Sequence, residues 1–151
     1  LDKMLEAGLQ LIWQTGKPYA AAASERVAGK NGVWANDFIT QMEYAYAAAD
    51  IVVARAGAMT VAELCLVKKP VLFVPYPFAA EDHQTVNATQ LVSQHAALIV
   101  KDSEAKEKLV FMSIELSRDE AKQEELKNNI ARLAITDADT RIAKAILESV
   151  K

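Results

Sequence analysis

The sequence predicts an α/β fold: a doubly wound, mostly parallel sheet with helices on both faces and extra helices at its C-terminal end. Strand-like and helix-like segments alternate up to residue 101, which is typical of parallel sheets. The strand-like segments are continuously apolar, as expected for strands that are buried on both faces. From Ser103 onward the pattern is helical only.

Five short apolar runs are predicted as strands, at 9–14, 33–35, 51–54, 70–74 and 97–101. The helical segments between them are 19–28, 39–49, 58–67 and 85–93, and residues 1–4 belong to a further helix. Breaks near 117–119 and 136–139 divide the C-terminal stretch into three helices. Because open parallel sheets bind ligands at the carboxyl ends of their strands, the candidate ligand-binding loops are 15–18, 36–40, 55–60 and 75–84.

The composition describes one globular domain that spans residues 1–151. Hydrophobic residues make up 52% of the chain and its net charge is −3, which excludes a disordered protein and argues against a nucleic-acid-binding face. The single cysteine, Cys65, excludes an internal disulfide and a cysteine-based zinc site. Two distant histidines offer no metal-ligand spacing, so no metal or cofactor is predicted.

The segment 54–63 follows a predicted strand and opens a predicted helix. Gly57 permits a tight turn and a close backbone approach, and the N–H groups of Ala58, Met59 and Thr60 would point out of the helix start. Together with the helix dipole they would suit a diphosphate, and Glu63, about one turn further, would accept two ribose hydroxyls. A second interpretation is open, because Thr60 and Glu63 also have the spacing of a capping box.

The segment 75–88 places polar side chains between a stiff, proline-rich strand exit and a helix. Gln84 and Asn87 carry the donors and acceptors that sugar hydroxyls need, and His83 is a candidate acid–base group. The alternative is that Asp82 caps the helix and that His83 is an ordinary surface residue.

The segment 36–42 follows the second predicted strand. Its Ile39 would present a backbone N–H and C=O to a planar base. A plain helix start that is capped by Asp37 or Thr40 fits the same residues.

Residues 49–64 (ADIVVARAGAMTVAEL) and 68–88 (KKPVLFVPYPFAAEDHQTVNA) resemble the C-terminal domain of bacterial peptidoglycan glycosyltransferases of family 28. NDFITQM at 36–42 resembles the uracil-side loop of that family, and DADTRIAKAI at 137–146 resembles its final helix. The family transfers N-acetylglucosamine from UDP-GlcNAc to lipid I, with inversion at the sugar, and forms lipid II.

The resemblance implies the two-domain GT-B fold, in which a Rossmann-like C-terminal half holds the donor. Ile39 would then read uracil, Glu63 would bind the ribose, and Gln84 with His83 would hold the GlcNAc hydroxyls. Arg55 would lie behind the diphosphate loop. That loop would be lined by Ala58, Met59, Thr60, Val61 and Ala62. No residue of this chain is assigned as catalytic, because the expected base belongs to the N-terminal half.

The same resemblance implies that this domain lacks its first strand and glycine-rich loop, and that the N-terminal acceptor domain is absent. UDP-GlcNAc is the expected ligand, while lipid I and the membrane would be contacted only through the missing domain. The expected location is peripheral, at the cytoplasmic face of the bacterial plasma membrane, with the isolated piece soluble and inactive. The expected process is cell-wall synthesis, with its effects on cell shape and division.

Two alternatives to this interpretation are open. One is another UDP-sugar enzyme of the same fold, such as a non-hydrolysing 2-epimerase or a different glycosyltransferase. The other is a non-catalytic donor-binding subunit that works with a separate partner.

Overall fold

A computed structural model describes residues 1–150. These residues form five strands, eight α-helices and two short 3-10 turns at Lys17–Tyr19 and Ala80–Asp82. The strands are β1 (Leu11–Gln14), β2 (Val33–Asn36), β3 (Val52–Ala54), β4 (Val71–Phe73) and β5 (Leu98–Ile99). The helices are α1 (Asp2–Glu6), α2 (Ala20–Val27), α3 (Met42–Ala48), α4 (Ala58–Val67), α5 (His83–Ser93), α6 (Asp102–Arg118), α7 (Glu120–Ala131) and α8 (Ala138–Ser149).

All five predicted strands are present and every pairing between them is parallel, as the alternation of strands and helices predicts. The pairing divides them into two sheets, however: β1 pairs with β2, and β3, β4 and β5 form a three-stranded sheet with β4 in the centre. The two sheets are not hydrogen-bonded to each other within the described residues.

The main core lies around β4, whose three residues are fully buried. Side chains of a strand alternate between its faces. Val71 and Phe73 accordingly pack into one cluster with Leu64 of α4, while Leu72 packs into a second cluster with Val100. Helices α4, α5 and α7 supply the first cluster and α6 covers the second. The prediction of a strand that is buried on both faces is confirmed for β4.

The same prediction is wrong for β1, β2 and β3. Their burial alternates along the strand, and Ile12, Trp34 and Val53 are 42%, 49% and 41% exposed. Composition alone does not distinguish these strands from β4. The difference is that helices cover both faces of β4, whereas one face of each of these strands stays accessible to solvent.

Two helices begin at residues other than those predicted, and both differences affect the candidate site. Helix α3 begins at Met42 and not at residue 39, so Ile39 lies in an irregular segment between β2 and α3. Helix α5 begins at His83 and not at residue 85, so His83 and Gln84 form its first turn. The three predicted C-terminal helices are confirmed as α6, α7 and α8. None of the helices described has the length and apolarity that crossing a bilayer requires.

Candidate functional site

The start of α4 leaves several backbone donors without a protein partner. Gly57 is the N-cap, and the first bond of the helix runs from the N–H of Val61 to the C=O of Gly57 at 2.9 Å. No side chain caps this end. The N–H groups of Ala58, Met59 and Thr60 therefore face outward, where the helix dipole favours an anion.

The conformation of Gly57 corrects one part of the sequence argument. Its φ of −66° is open to any residue, so the backbone conformation here does not use the freedom of glycine. A Cβ added there would meet only the Thr60 hydroxyl, at 3.9 Å. Neither the backbone conformation nor the packing within the protein requires glycine at this position. The lack of a side chain leaves the backbone open to the close approach of a ligand.

The capping-box interpretation of Thr60 and Glu63 is wrong. Thr60 is the third residue of the helix and not its cap, and its side chain makes no capping hydrogen bond. Glu63 lies one turn further on, is exposed, and accepts a hydrogen bond from the hydroxyl of Tyr46 at 3.0 Å. Burial, the largest cause, raises the pKa of Tyr46 together with the hydrogen bond to Glu63 and the negative charge of Glu63, to about 12 in all.

Gln84 joins the two polar loops at the carboxyl ends of β3 and β4. Its side-chain oxygen accepts hydrogen bonds from the backbone N–H of Ala56 at 3.2 Å and from that of Tyr76 at 3.0 Å. Since both partners are donors, the orientation of the amide is fixed, and its NH2 group is left free to donate outward. Asn87 supports the same loop by donating to the carbonyl of Ala56 at 3.0 Å, so its NH2 group is engaged within the protein.

Arg55 lies behind these loops and connects them to the rest of the sheet. Its guanidinium donates to the carbonyls of Val74 and Pro75 at 3.1 Å each and to the carboxylate of Asp102 at the start of α6. The same group lies 5.6 Å from the centre of the Tyr76 ring, within cation–π range. The loop after β4 is therefore held from both of its sides, by Arg55 and by Gln84.

His83 is exposed in the first turn of α5. Its Nδ1 lies within hydrogen-bonding distance of the Ala80 carbonyl, which can only accept, so Nε2 is the ring nitrogen left for other partners. Asp82 occupies the N-cap position of this helix, as predicted, but its side chain makes no capping hydrogen bond. Asp82 has a left-handed backbone (φ 52°), and its carboxylate accepts from the Thr85 hydroxyl and not from a backbone N–H.

Ile39 lies at the carboxyl end of β2, where its backbone was expected to be available. Its N–H is already engaged, because it donates to the side-chain oxygen of Gln14 at 2.9 Å. Neither Asp37 nor Thr40 caps α3, whose N-cap is Gln41. A cavity of about 220 Å³ opens beside this segment, lined by Thr15, Ala20, Ala23, Ser24, Ala35, Asn36 and Asp37. A planar ligand would have to displace Gln14 from the Ile39 amide, or use the Ile39 carbonyl alone.

The structure thus brings together the start of α4, Glu63 and Gln84, and it links Ile39 to them only through α3. Tyr46 was missed, because two tyrosines stand in one alanine-rich helix and only the fold shows which of them reaches α4. A larger cavity of about 530 Å³ lies elsewhere, between β5, α6 and α7, and shares no lining residue with these groups. Among residues 1–150 no cluster of three or more His, Cys, Asp or Glu side chains has the geometry of a metal site.

Comparisons with known proteins match nearly the whole chain. The family model for the glycosyltransferase family 28 C-terminal domain matches residues 2–145. UDP-N-acetylglucosamine--N-acetylmuramyl-(pentapeptide) pyrophosphoryl-undecaprenol N-acetylglucosamine transferases are similar to it in sequence. The protein of that name from Parabacteroides distasonis is 43% identical over 99% of this chain, and that from Porphyromonas gingivalis is 46% identical over 100%. The chain spans only 41% and 40% of these relatives.

Solved structures give the same picture of the fold. The crystal structure of Acinetobacter baumannii MurG superposes with a TM-score of 0.81 at 26% identity, over 97% of this chain and 44% of that one. A glycotransferase of kitacinnamycin superposes with a TM-score of 0.61 at 21% identity, over 87% of this chain and 34% of that one, which supports the fold alone.

Proposed function

This chain belongs to glycosyltransferase family 28, whose C-terminal domain it matches, and from that premise we propose that it is the UDP-GlcNAc-binding part of a transferase that converts lipid I into lipid II. The observation that carries the proposal is the uncapped start of α4, which faces the same edge of the sheet as Glu63 and Gln84. Its relatives are named for transfer of N-acetylglucosamine, which gives the sugar.

Different residues are proposed to bind different parts of the donor. The outward N–H groups of Ala58, Met59 and Thr60 would bind the diphosphate, with Val61 and Ala62 completing that turn. Glu63 would accept hydrogen bonds from the ribose hydroxyls through its free oxygen.

The sugar and the base would lie to either side of this centre. Gln84, whose oxygen is engaged by two backbone N–H groups, would donate to a GlcNAc oxygen. His83 would add a contact through Nε2. Ile39 would face uracil once Gln14 releases its amide.

The chemistry assigned to this half is stabilisation of the leaving group. As the bond between the sugar and the diphosphate breaks, negative charge builds up on UDP. The dipole and free N–H groups at the start of α4 would stabilise that charge, because they are already oriented when it develops. The base that deprotonates the acceptor hydroxyl is proposed to lie outside this chain, in the part that binds the acceptor, and His83 is assigned to the sugar and not to that role.

The division of the sheet supports the proposal that this domain is completed by one more strand. In the common doubly wound order 3-2-1-4-5-6, the first strand lies between the second and the fourth. The pairings β2-β1 and β3-β4-β5 are those of this order without its first strand, which would then lie between β1 and β3. We infer that a preceding strand and its glycine-rich loop fill this position, and that an acceptor domain and the membrane contact at the cytoplasmic face belong to the same missing part.

Isothermal titration calorimetry of this chain, with UDP-GlcNAc and with UDP-glucose in separate titrations, tests the donor site. We expect UDP-GlcNAc to bind more tightly. Glu63→Ala is expected to weaken both donors by about tenfold or more, as loss of a charged hydrogen-bond partner would. Glu107→Ala is the matched control, because it removes an exposed carboxylate from α6, away from the site.

The outcomes separate the alternatives. Equal binding of both sugars would favour another UDP-sugar enzyme of this fold, and undiminished binding by Glu63→Ala would remove Glu63 from the site. Transfer of N-acetylglucosamine to a lipid I analogue by this chain alone would overturn the assignment of the base to a missing part.

A further inference from the structure

We propose that Tyr46 is a positioning residue for nucleotide binding, whose hydroxyl holds the Glu63 carboxylate so that one of its oxygens stays free for the ribose. The inference rests on the proposed function, because it assigns a role within the same donor site. It concerns a residue that touches Glu63 and would not itself touch the ligand.

The contact joins two different helices. Tyr46 is on α3, Glu63 is on α4, and the Tyr46 hydroxyl donates to Oε2 of Glu63 at 3.0 Å. The Tyr46 ring packs against the main core cluster around β4. Apolar contacts therefore fix the ring, and the fixed ring sets the position of the hydroxyl.

Glu63 has no comparable anchor of its own. Its side chain is exposed, and Tyr46 is the one side-chain donor that reaches it among the residues described. A free glutamate would lose rotamer freedom on binding a ligand, and that loss weakens affinity. Because Tyr46 already holds Oε2, Glu63 is ordered before the nucleotide arrives, and Oε1 is left to accept hydrogen bonds.

The Tyr46 hydroxyl is protonated at neutral pH and is therefore a donor. Burial, the hydrogen bond to Glu63 and the charge of Glu63 together raise the pKa of Tyr46 to about 12. A purely structural link between α3 and α4 would change the affinity for every nucleotide alike. A positioning role would weaken a nucleotide with both ribose hydroxyls more than one that lacks the 2′ hydroxyl.

The test compares UDP with 2′-deoxyuridine 5′-diphosphate, each titrated into the unmodified chain and into Tyr46→Phe. The phenylalanine ring retains the core packing and removes only the hydroxyl. We expect the preference for UDP to fall about fivefold in Tyr46→Phe, as loss of one pre-ordered side chain would cause. Binding of the deoxy nucleotide, which keeps only the 3′ hydroxyl, should weaken less than binding of UDP. Tyr44→Phe is the control, because Tyr44 is 65% exposed on the same helix.

The outcomes distinguish this inference from the proposed function. An unmodified chain that binds neither nucleotide, or both equally, overturns the proposed function and the role of Tyr46 with it. A chain that prefers UDP, and keeps the full preference in Tyr46→Phe, overturns the role of Tyr46 alone. A Tyr46→Phe variant that unfolds shows a structural role and also overturns it.

A second measurement checks the contact without any ligand. Glu63→Gln removes the charge beside the Tyr46 hydroxyl, so the pKa of Tyr46 should fall below about 12. Burial, the largest cause of the shift, remains and should keep this pKa above its ordinary value. An ultraviolet titration of the tyrosines, with Tyr46→Phe to identify the signal, reports the change. An unchanged pKa would mean that Tyr46 does not hold Glu63.

Discussion

The two sheets of this chain have similar sequences and very different surroundings. Within residues 1–150, every buried residue except Ala23 lies at Ala56 or beyond. The central strand β4 is buried along its whole length, whereas Ile12 and Trp34 of the two-stranded sheet are nearly half exposed. Apolar strands therefore do not create a core by themselves, since a core also needs helices on both faces of the sheet.

The residues of the candidate site follow strands of both sheets. The start of α4 and Gln84 follow strands of the three-stranded sheet and are fixed by the core and by the Arg55 contacts. Ile39 follows β2 of the less buried sheet, and a single side chain, Gln14, holds its amide. In the proposed function, the diphosphate is bound by the rigid part of the domain and the base by the part that is more easily deformed.

Core substitutions should show the largest contrast between the two sheets. Leu72→Ala in β4 is expected to lower the free energy of unfolding by about 2–5 kcal/mol, because it leaves a cavity in a fully buried cluster. Ile12→Ala in β1 should cost about 1 kcal/mol or less, because 42% of that side chain is already exposed. Urea unfolding of both variants measures the difference, and equal losses would show that β1 is as well packed as β4.

Hydrogen exchange should show the same contrast between the two sheets at the level of single backbone amides. Regions with few buried contacts open at lower free energy than the core. The amides of β1 and β2 are therefore expected to exchange at least about tenfold faster than those of β4, which corresponds to about 1.4 kcal/mol of opening free energy. Exchange measured by NMR on the unmodified chain tests this. Uniform protection across both sheets would show that the two sheets do not differ in local stability.

Much of the fold could be predicted, because strong local patterns determine it. The five strands, their parallel pairing and the three C-terminal helices follow from apolar runs, helical composition and turn residues. The division into two sheets could not be predicted this way. Pairing depends on which strands become neighbours, and β1 and β3 carry no local signal that separates them.

The sequence predicts which residues form the candidate site, and that assignment stays a prediction, while several of their contacts could not be predicted. The outward N–H groups of α4 follow from the order strand, glycine, helix. The engagement of the Gln84 oxygen and of the Ile39 amide does not, because each bond joins segments that are distant in sequence. The capping box of Thr60 and Glu63 does not form, because Gly57 is the N-cap of α4. Asp82 takes the N-cap position of α5 without a side-chain capping bond, and Tyr46 and Thr85 donate their hydroxyls to the carboxylates of Glu63 and Asp82.

Removing an exposed ion pair should produce the smallest difference between the two sheets. Asp2 accepts hydrogen bonds from Lys30 and Arg26 and so links α1 to α2 and to the turn beyond it, beside the two-stranded sheet. The hydrogen bond from Lys30 is the main cause that lowers the pKa of Asp2 below 3.8. A carboxyl group with a lowered pKa contributes stability above its unfolded value, and that contribution is lost as pH falls below about 3.8.

Asp2→Asn should therefore reduce the difference in unfolding midpoint between pH 7 and pH 3. The effect should be small, since Asp2 is exposed and such pairs contribute little. Glu104→Gln is the matched control, because Lys108 lowers the pKa of Glu104 in the same way but within the single helix α6. Only Asp2→Asn should also accelerate exchange of the β1 and β2 amides at pH 7. If Glu104→Gln accelerated it equally, the two sheets would open together, and the contrast between them would be one of burial and not of stability.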